Sequence, residues 1–288
     1  MEDDFVKLQS FILERQSENK PFFIGRLSGN ETRLTGNILS NKMLQPDLIR
    51  NMLYGAGISF KSSSDVSAFV KSYNSSVSKC DMLGIWTGNM REQAKEYYKF
   101  IDKMYPNLPR IAAQAIEPYY YMNNPQYNFG KIFKGKRVLI ITSHCETTKH
   151  QLPKNDVLFE KPIFDTTTEF YVYKPPQQNG GNHDNESWIH HLEIMKRDLL
   201  RIQKTEFNFD IALVSCGGFG MIISNYIYSE LSASVMYIGG ALQIYFGIMG
   251  NRWNSNERIL KHKNEHWTRP MEIDKPKNPQ LCENNCYW

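Results

Sequence analysis

The sequence predicts an α/β fold in which a mostly parallel sheet is covered by helices on both faces. Apolar runs of four or five residues recur along the chain, at 22–25, 82–86, 138–141, 211–214 and 235–238. Continuous runs of this kind are typical of strands that are buried on both faces. Segments with apolar residues at helical spacing lie between them, at 47–54, 64–76, 91–104, 186–203 and 221–231. This alternation of strands and helices predicts a parallel sheet.

The first elements are a helix and a buried strand. Residues 3–17 carry apolar side chains at helical spacing, which predicts an amphipathic helix on the domain surface: Phe5, Leu8, Phe11 and Ile12. Pro21 ends this helix, and the run 22–25 follows as the first strand. The strand leads into a loop, residues 26–31, that begins the next helix.

The remaining chain predicts one domain with a tail. Residues 1–253 contain all the strand and helix patterns and are expected to form a single α/β domain. Residues 174–185 have the Pro, Gly, Asn and Gln content of a mobile loop. Residues 254–288 are rich in Asn, Lys and Pro, and we expect an irregular tail packed on the surface.

Composition excludes several function classes. The chain has 288 residues, 41% of them hydrophobic, which is enough apolar material for a folded core. Its 34 basic and 30 acidic residues leave a net charge of +4, without the concentrated basic patch of nucleic-acid binding proteins. No run of eighteen apolar residues occurs and the first residues are acidic, so we expect no membrane span and a cytoplasmic location. Five widely spaced cysteines favour reduced thiols.

Ligands of open α/β sheets bind beyond the carboxyl ends of the strands, so the loops that follow the strands are the candidate sites. A glycine-rich loop follows the run 211–214 and precedes a helix, with Gly217, Gly218, Phe219 and Gly220. Glycines allow close approach of a ligand, and a helix amino terminus attracts a phosphate. A tight turn with no ligand explains the same pattern. Neither the dinucleotide fingerprint nor a P-loop occurs in the chain.

A hydroxyl-rich loop, residues 142–148, follows the run 138–141. Ser143 is a candidate for contact with phosphate, with His144 as a cationic or hydrogen-bonding partner. Capping of the next helix explains Ser143 equally well. Cys145 is adjacent to His144 on one turn, which is a poor geometry for a catalytic pair.

The loop after the run 235–238 contains Gly240 and Gln243, which are candidates to line a base or sugar pocket. Arg252 follows and is a candidate for bidentate contact with a phosphate. Close helix packing is the alternative role for Gly240.

The loop after the first strand contains Arg26, Ser28, Asn30 and Glu31. Arg26 lies next to a buried strand, where an unpaired cation is costly, so we expect it to have an anionic partner. Glu31 is a candidate catalytic carboxylate, but it also suits the positive end of the helix dipole.

Three stretches of the sequence together resemble glycosyltransferases of the GT-D fold type, a family of bacterial and some viral enzymes that build surface glycans. The stretches read FFIGRLSGNE, EPYYYMNNPQ with GKRVLIITSHCETTKHQL, and LVSCGGFGMIISNYIYSELSASVMYIGGALQIYFGIMGNRW. They cover residues 21–253. The resemblance implies a Rossmann-like sheet of the GT-D type, located in the bacterial cytoplasm or, for a viral protein, in the host cytoplasm.

The resemblance further implies a nucleotide-sugar donor, usually linked to uridine diphosphate, and a carboxylate in the first motif. Arg26 and Glu31 match that motif, but Gly29 stands where the family commonly has an aspartate. One of two carboxylates that would bind a divalent ion is therefore missing. We expect that the activity does not require a metal ion. A weak dependence on Mg²⁺ or Mn²⁺ bound through the donor phosphates is the alternative.

These observations predict a transferase that moves a sugar from a nucleotide diphosphate donor to a hydroxyl of a glycan acceptor. Glu31 is the candidate base, and Arg26, Arg252 and the amides of the glycine loop are candidates to stabilise the departing diphosphate. Trp86, Tyr119 and Tyr120 are candidates to stack on the acceptor sugar, although aromatic side chains are more often core residues.

Two other classes remain open. A non-catalytic nucleotide-sugar or glycan binding module would keep the glycine loops without a carboxylate pair, and Gly29 favours it. An S-adenosylmethionine methyltransferase also uses a glycine loop after a strand, but usually after its first strand rather than a late one.

Overall fold

A computed structural model describes residues 2–288 and shows a seven-stranded sheet in which every neighbouring pair of strands is parallel. The strand order is β3-β2-β1-β7-β6-β4-β5. The strands are β1 (Phe23–Arg26), β2 (Met82–Ile85), β3 (Arg110–Ala112), β4 (Arg137–Thr142), β5 (Glu169–Tyr173), β6 (Ile211–Ser215) and β7 (Ser234–Tyr237). The predicted α/β, Rossmann-like class is confirmed.

Eleven α-helices surround the sheet within the described residues. They are α1 (Glu2–Ser17), α2 (Gly29–Leu39), α3 (Pro46–Tyr54), α4 (Ser63–Ser78), α5 (Gly88–Gln93), α6 (Lys95–Met104), α7 (Cys145–Gln151), α8 (Trp188–Arg201), α9 (Gly220–Glu230), α10 (Leu242–Tyr245) and α11 (Glu257–Leu260). None of the helices in residues 2–288 is long and apolar enough to cross a membrane.

The sheet separates two hydrophobic cores. Successive strand residues point to opposite faces, so Phe23 packs into one core and Ile24 into the other. The first core is covered by α2, α4, α6, α8 and α9, and the second by α1, α10 and the short helical turns of residues 113–133.

The chain leaves two neighbouring strands toward opposite faces. After β1 it continues into α2, whose Leu34 lies in the first core, and after β7 it continues into α10, whose Ile244 lies in the second. Loops that diverge in this way open a crevice at the carboxyl ends of the strands, which is where open α/β sheets bind ligands.

Two predicted elements differ from the structure. The predicted helix 91–104 is divided into α5 and α6 at Ala94, whose backbone is not helical (φ −109°, ψ 17°). The segment 174–185, predicted to be a mobile loop, is hydrogen-bonded on two sides. The N–H of Gly180 donates to the carbonyl of Tyr54 at 2.9 Å, and the N–H of Asn278 donates to the carbonyl of Gly180 at 2.8 Å.

The residues from 254 onward, predicted to be an irregular tail packed on the surface, place several side chains in the interior. They form turns and the four-residue α11, and several of their side chains are buried, among them Ile259, Trp267, Asp274, Cys282 and Trp288. The carboxylate of Asp274 accepts hydrogen bonds from the backbone N–H groups of Glu146 and Thr147 at 3.2 and 2.7 Å, at the amino terminus of α7. All five cysteines of the chain are free thiols.

Candidate functional site

A cavity of about 500 Å³ opens at the carboxyl ends of β1, β2, β4, β6 and β7. Its volume lies within the range of ligand pockets, roughly 300–1,000 Å³. Ten predicted site residues line it: Arg26, Ser28, Asn30, Glu31, Trp86, Ser143, His144, Gly217, Gly240 and Arg252. The crevice formed where β1 and β7 diverge therefore brings together four of the loops singled out in the sequence.

The glycine loop before α9 packs against protein for most of its length. A Cβ at Gly218 would lie 2.4 Å from Cγ1 of Ile58, and a Cβ at Gly220 would lie 2.0 Å from the ring of Tyr237. The N–H of Gly218 already donates to the carbonyl of Ala56 at 2.8 Å. Gly218, Phe219 and Gly220 do not line the main cavity. Gly217 remains at the cavity, and the other residues of this loop are explained by packing.

Gln243 and two of the predicted acceptor-side aromatics are also structural. Gln243 is buried, and its Nε2 donates to the carbonyls of Ile248 and Tyr287, at 3.0 and 3.3 Å, which joins α10 to the tail. Tyr119 is fully buried, and Tyr120 packs edge-on against it at 4.8 Å outside the cavity. Trp86 is the predicted acceptor-side aromatic that the cavity does contain.

Arg26 has the anionic partner that we expected from the sequence, and that partner is Glu117. Nη2 of Arg26 lies 3.3 Å from Oε1 of Glu117, and the two side chains are only 11% and 6% exposed. The guanidinium also donates to the carbonyl of Ile238 and lies 4.6 Å from the ring centroid of Trp86. Burial raises the pKa of Glu117, while the charge of Arg26 opposes that rise. Arg26 is thus held by a buried ion pair.

Arg252 is paired differently. Its Nη2 is hydrogen-bonded to the carboxylate of Glu283, and its guanidinium lies 4.6 Å from the ring centroid of Tyr287. The Arg252 and Glu283 side chains are 40% and 44% exposed. Of the two arginines at the cavity, Arg252 has the more accessible charge.

Glu31 lies in the first turn of α2 and is 5% exposed. Burial raises its pKa, hydrogen bonding to its own backbone and to Ser28 opposes the rise, and the nearby charge of Glu283 adds to it. No ion pair with Glu31 occurs in residues 2–288. A buried carboxylate with a raised pKa at a cavity suits general base catalysis.

His144 is buried and uncharged at neutral pH. Burial lowers its pKa to about 4, which favours the uncharged imidazole in the cavity without a ligand. Its ring lies 5.4 Å from that of Trp288, and its Nδ1 has no hydrogen-bond partner among the described residues. Nδ1 of His144 is therefore free to hydrogen-bond to a ligand.

Several residues that line the cavity or support it escaped the sequence reasoning, among them Glu117, Asn179, Glu283, Tyr287 and Trp288. Glu117 opens the EPYYYMNNPQ stretch, so its place in that motif was an available signal. The last two are an aromatic pair in a polar segment. Their approach to the cavity depends on contacts between distant parts of the chain.

The donor set does not fit a resident metal ion. No group of three or more His, Cys, Asp or Glu side chains that could hold a metal occurs in residues 2–288. At Gly29, a Cβ would meet only Cε of Met90, at 4.0 Å, so the position has room for a side chain.

Comparison of this chain with protein-family models, with curated proteins and with solved structures finds no match in any of the three. The likeness to GT-D glycosyltransferases therefore rests on the quoted sequence stretches.

Proposed function

We propose that the chain is a glycosyltransferase that uses a nucleotide diphosphate sugar, of which a uridine diphosphate sugar is the first candidate. The observation that carries the proposal is the placement of a buried carboxylate, Glu31, and an accessible guanidinium, Arg252, in one cavity at the carboxyl edge of the sheet. Sugar transfer from a diphosphate donor needs a proton acceptor, which Glu31 would provide, and a cationic partner for the departing anion, which Arg252 would provide.

In the proposed reaction, the oxygen of an acceptor hydroxyl attacks the anomeric carbon of the donor sugar. The bond between that carbon and the diphosphate oxygen breaks, and its electron pair leaves with the diphosphate. Glu31 takes the proton of the acceptor hydroxyl, which is the role it has if the anomeric centre inverts. Arg252 stabilises the charge that develops on the diphosphate.

The other cavity residues have supporting roles. Ser28, Asn30 and Ser143 offer hydroxyl and amide groups to the hydroxyls or phosphates of the donor. Trp86 is fixed by the hydrogen bond from its Nε1 to the carbonyl of Leu27 at 2.7 Å, and part of its ring is accessible for stacking on a sugar.

The test is a panel of nucleotide sugars offered to the purified chain, with release of the free nucleotide diphosphate as the readout. We expect release from at least one donor, and we expect it to persist in EDTA because Gly29 removes a carboxylate. Complete loss in EDTA with recovery in Mn²⁺ would contradict the metal-independent form of the proposal.

A second candidate is a non-catalytic nucleotide-sugar binding module. Gly29 favours it, because the first motif lacks one carboxylate of the family pattern. Binding of a nucleotide sugar without any release of nucleotide would support the module. A thermal-shift arm with S-adenosylmethionine separates both readings from a methyltransferase.

A further inference from the structure

The two arginines of the cavity, Arg26 and Arg252, make the same kinds of contact, but their side chains differ in exposure to solvent. Each guanidinium lies 4.6 Å from the centroid of an aromatic ring and is paired with a glutamate. The pair of Arg26 with Glu117 is almost completely buried, whereas the Arg252 and Glu283 side chains are both more than a third exposed.

This difference decides which arginine can exchange its partner. Removing Glu117 from Arg26 would leave a buried charge unpaired, which is strongly unfavourable. An exposed ion pair contributes little, because water replaces most of what is lost. An incoming anion can therefore compete with Glu283 for Arg252, but not with Glu117 for Arg26.

The backbone around Glu283 is held in an uncommon conformation. Glu283, Asn284 and Asn285 have φ values of 48°, 55° and 63°, three successive left-handed residues of which the first is a glutamate. Asparagine tolerates this region, whereas glutamate adopts it rarely. The turn persists because it is anchored at both ends, by the N–H of Asn285 on the carbonyl of Cys282 and by the N–H of Arg252 on the carbonyl of Cys286, at 3.0 and 2.8 Å.

We propose that Glu283 is a built-in competitor for the anion-binding position at Arg252, and that a phosphate group of the ligand displaces it. The inference rests on the proposed function in assuming that the ligand carries phosphate. Displacement changes the side-chain contacts of the turn at 283–285, which is followed by two aromatic residues of the cavity wall, Tyr287 and Trp288. The tail thereby sets the affinity of the cavity for anions.

The experiment measures the affinity of inorganic pyrophosphate by calorimetry for the full chain and four variants. In Glu283→Gln the competing charge is gone, and we expect pyrophosphate to bind about fivefold more tightly than to the wild type. Glu265→Gln removes the same charge from an exposed position in the same tail, and we expect the wild-type affinity. Arg252→Gln should lose binding.

Unchanged or weaker binding to Glu283→Gln, relative to Glu265→Gln, overturns the inference. Glu283→Asn is a second variant at this position, because asparagine lacks the charge and suits the left-handed turn, so a folding defect in Glu283→Gln does not leave the question open. We expect it to bind pyrophosphate more tightly as well. Thermal melting of each variant verifies that the fold is retained.

The outcomes separate this inference from the proposed function. Tighter pyrophosphate binding without turnover of any nucleotide sugar supports the competitor role and contradicts the transferase. Turnover of a nucleotide sugar with no effect of Glu283→Gln on pyrophosphate binding supports the transferase and overturns the competitor role.

Discussion

Glu31 combines two properties that rarely occur together in a structural carboxylate: burial and the absence of an ion pair within residues 2–288. A helix-start carboxylate that only complements the dipole would sit well in water. Burial disfavours the ionised form, so this position destabilises the charge that a general base needs to carry. Such a cost is typical of functional sites.

For Glu31→Gln we expect a loss of turnover on the order of a hundredfold or more with donor binding retained, since the amide keeps the shape and removes the base. The wild-type rate should rise with pH through the raised pKa of Glu31, and this limb should vanish in the variant. Glu92→Gln, an exposed position paired with Lys95, is the control and should keep the wild-type rate. Near-wild-type transfer by Glu31→Gln would make Glu31 structural.

Stability gives the same variant a second readout. Because the pKa of Glu31 is raised in the folded chain, its protonated form stabilises the fold at low pH, and that contribution is lost as pH rises through the raised pKa. The neutral amide of Glu31→Gln has no such loss. We therefore expect the melting temperature of the variant, relative to that of the wild type, to increase from pH 4 to pH 8. A constant difference would contradict the assigned burial effect.

The two arginine pairs should differ in their contribution to stability. Glu117→Gln leaves Arg26 buried without its partner, and we expect a loss of about 3–5 kcal/mol in the free energy of unfolding. Glu283→Gln breaks an exposed pair and should change it by at most about 1 kcal/mol. Urea denaturation of both variants checks this. Equal losses would mean that the buried pair is not the anchor of Arg26.

At the scale of elements, the glycine-rich loop before helix α9 differs in the structure from what the sequence pattern predicted. The glycines before it predicted a phosphate loop, but packing explains Gly218 and Gly220, whose Cβ positions are occupied by Ile58 and Tyr237. A glycine pattern alone does not distinguish close approach of a ligand from close approach of protein, because both require the missing side chain.

Gly220→Ala should therefore reduce stability rather than phosphate affinity alone. The added methyl would overlap the ring of Tyr237, and overpacking of this kind costs about 1–3 kcal/mol. Gly29→Ala is the matched control, since its added methyl meets only Met90 at 4.0 Å. Thermal melting compares the two variants. A Gly220→Ala protein as stable as Gly29→Ala would restore a ligand-binding explanation for the loop.

Five strands were predictable because each is a continuous apolar run, and two strands, β3 and β5, were missed. β3 has only three residues, which is too short for a clear apolar run. β5 does contain a run of four apolar residues, 170–173, which was not identified as a strand from the sequence; it is an edge strand whose side chains are only partly buried. The break between α5 and α6 at Ala94 was not predictable, because no Pro or Gly marks it in the sequence.

At the scale of the whole molecule, the sequence predicted the edge of the sheet at which the cavity lies, but not the part of its wall that the tail forms. Strand order and loop direction place the cavity where β1 and β7 diverge, which follows from general rules for parallel sheets. The tail's part of the wall depends on contacts such as that of the Cys282 thiol with the carbonyl of Gly55, 227 positions away. Local periodicity carries no information about such contacts.

The central claim is that this cavity binds a nucleotide sugar and activates it for transfer. The most direct measurement is the release of nucleotide diphosphate from a panel of nucleotide sugars by the wild type and by Glu31→Gln, with donor affinity determined in parallel. We expect at least one donor to bind both proteins equally and to be turned over on the order of a hundredfold more slowly by the variant. Failure of every nucleotide sugar to bind, or equal turnover by both proteins, would contradict the claim.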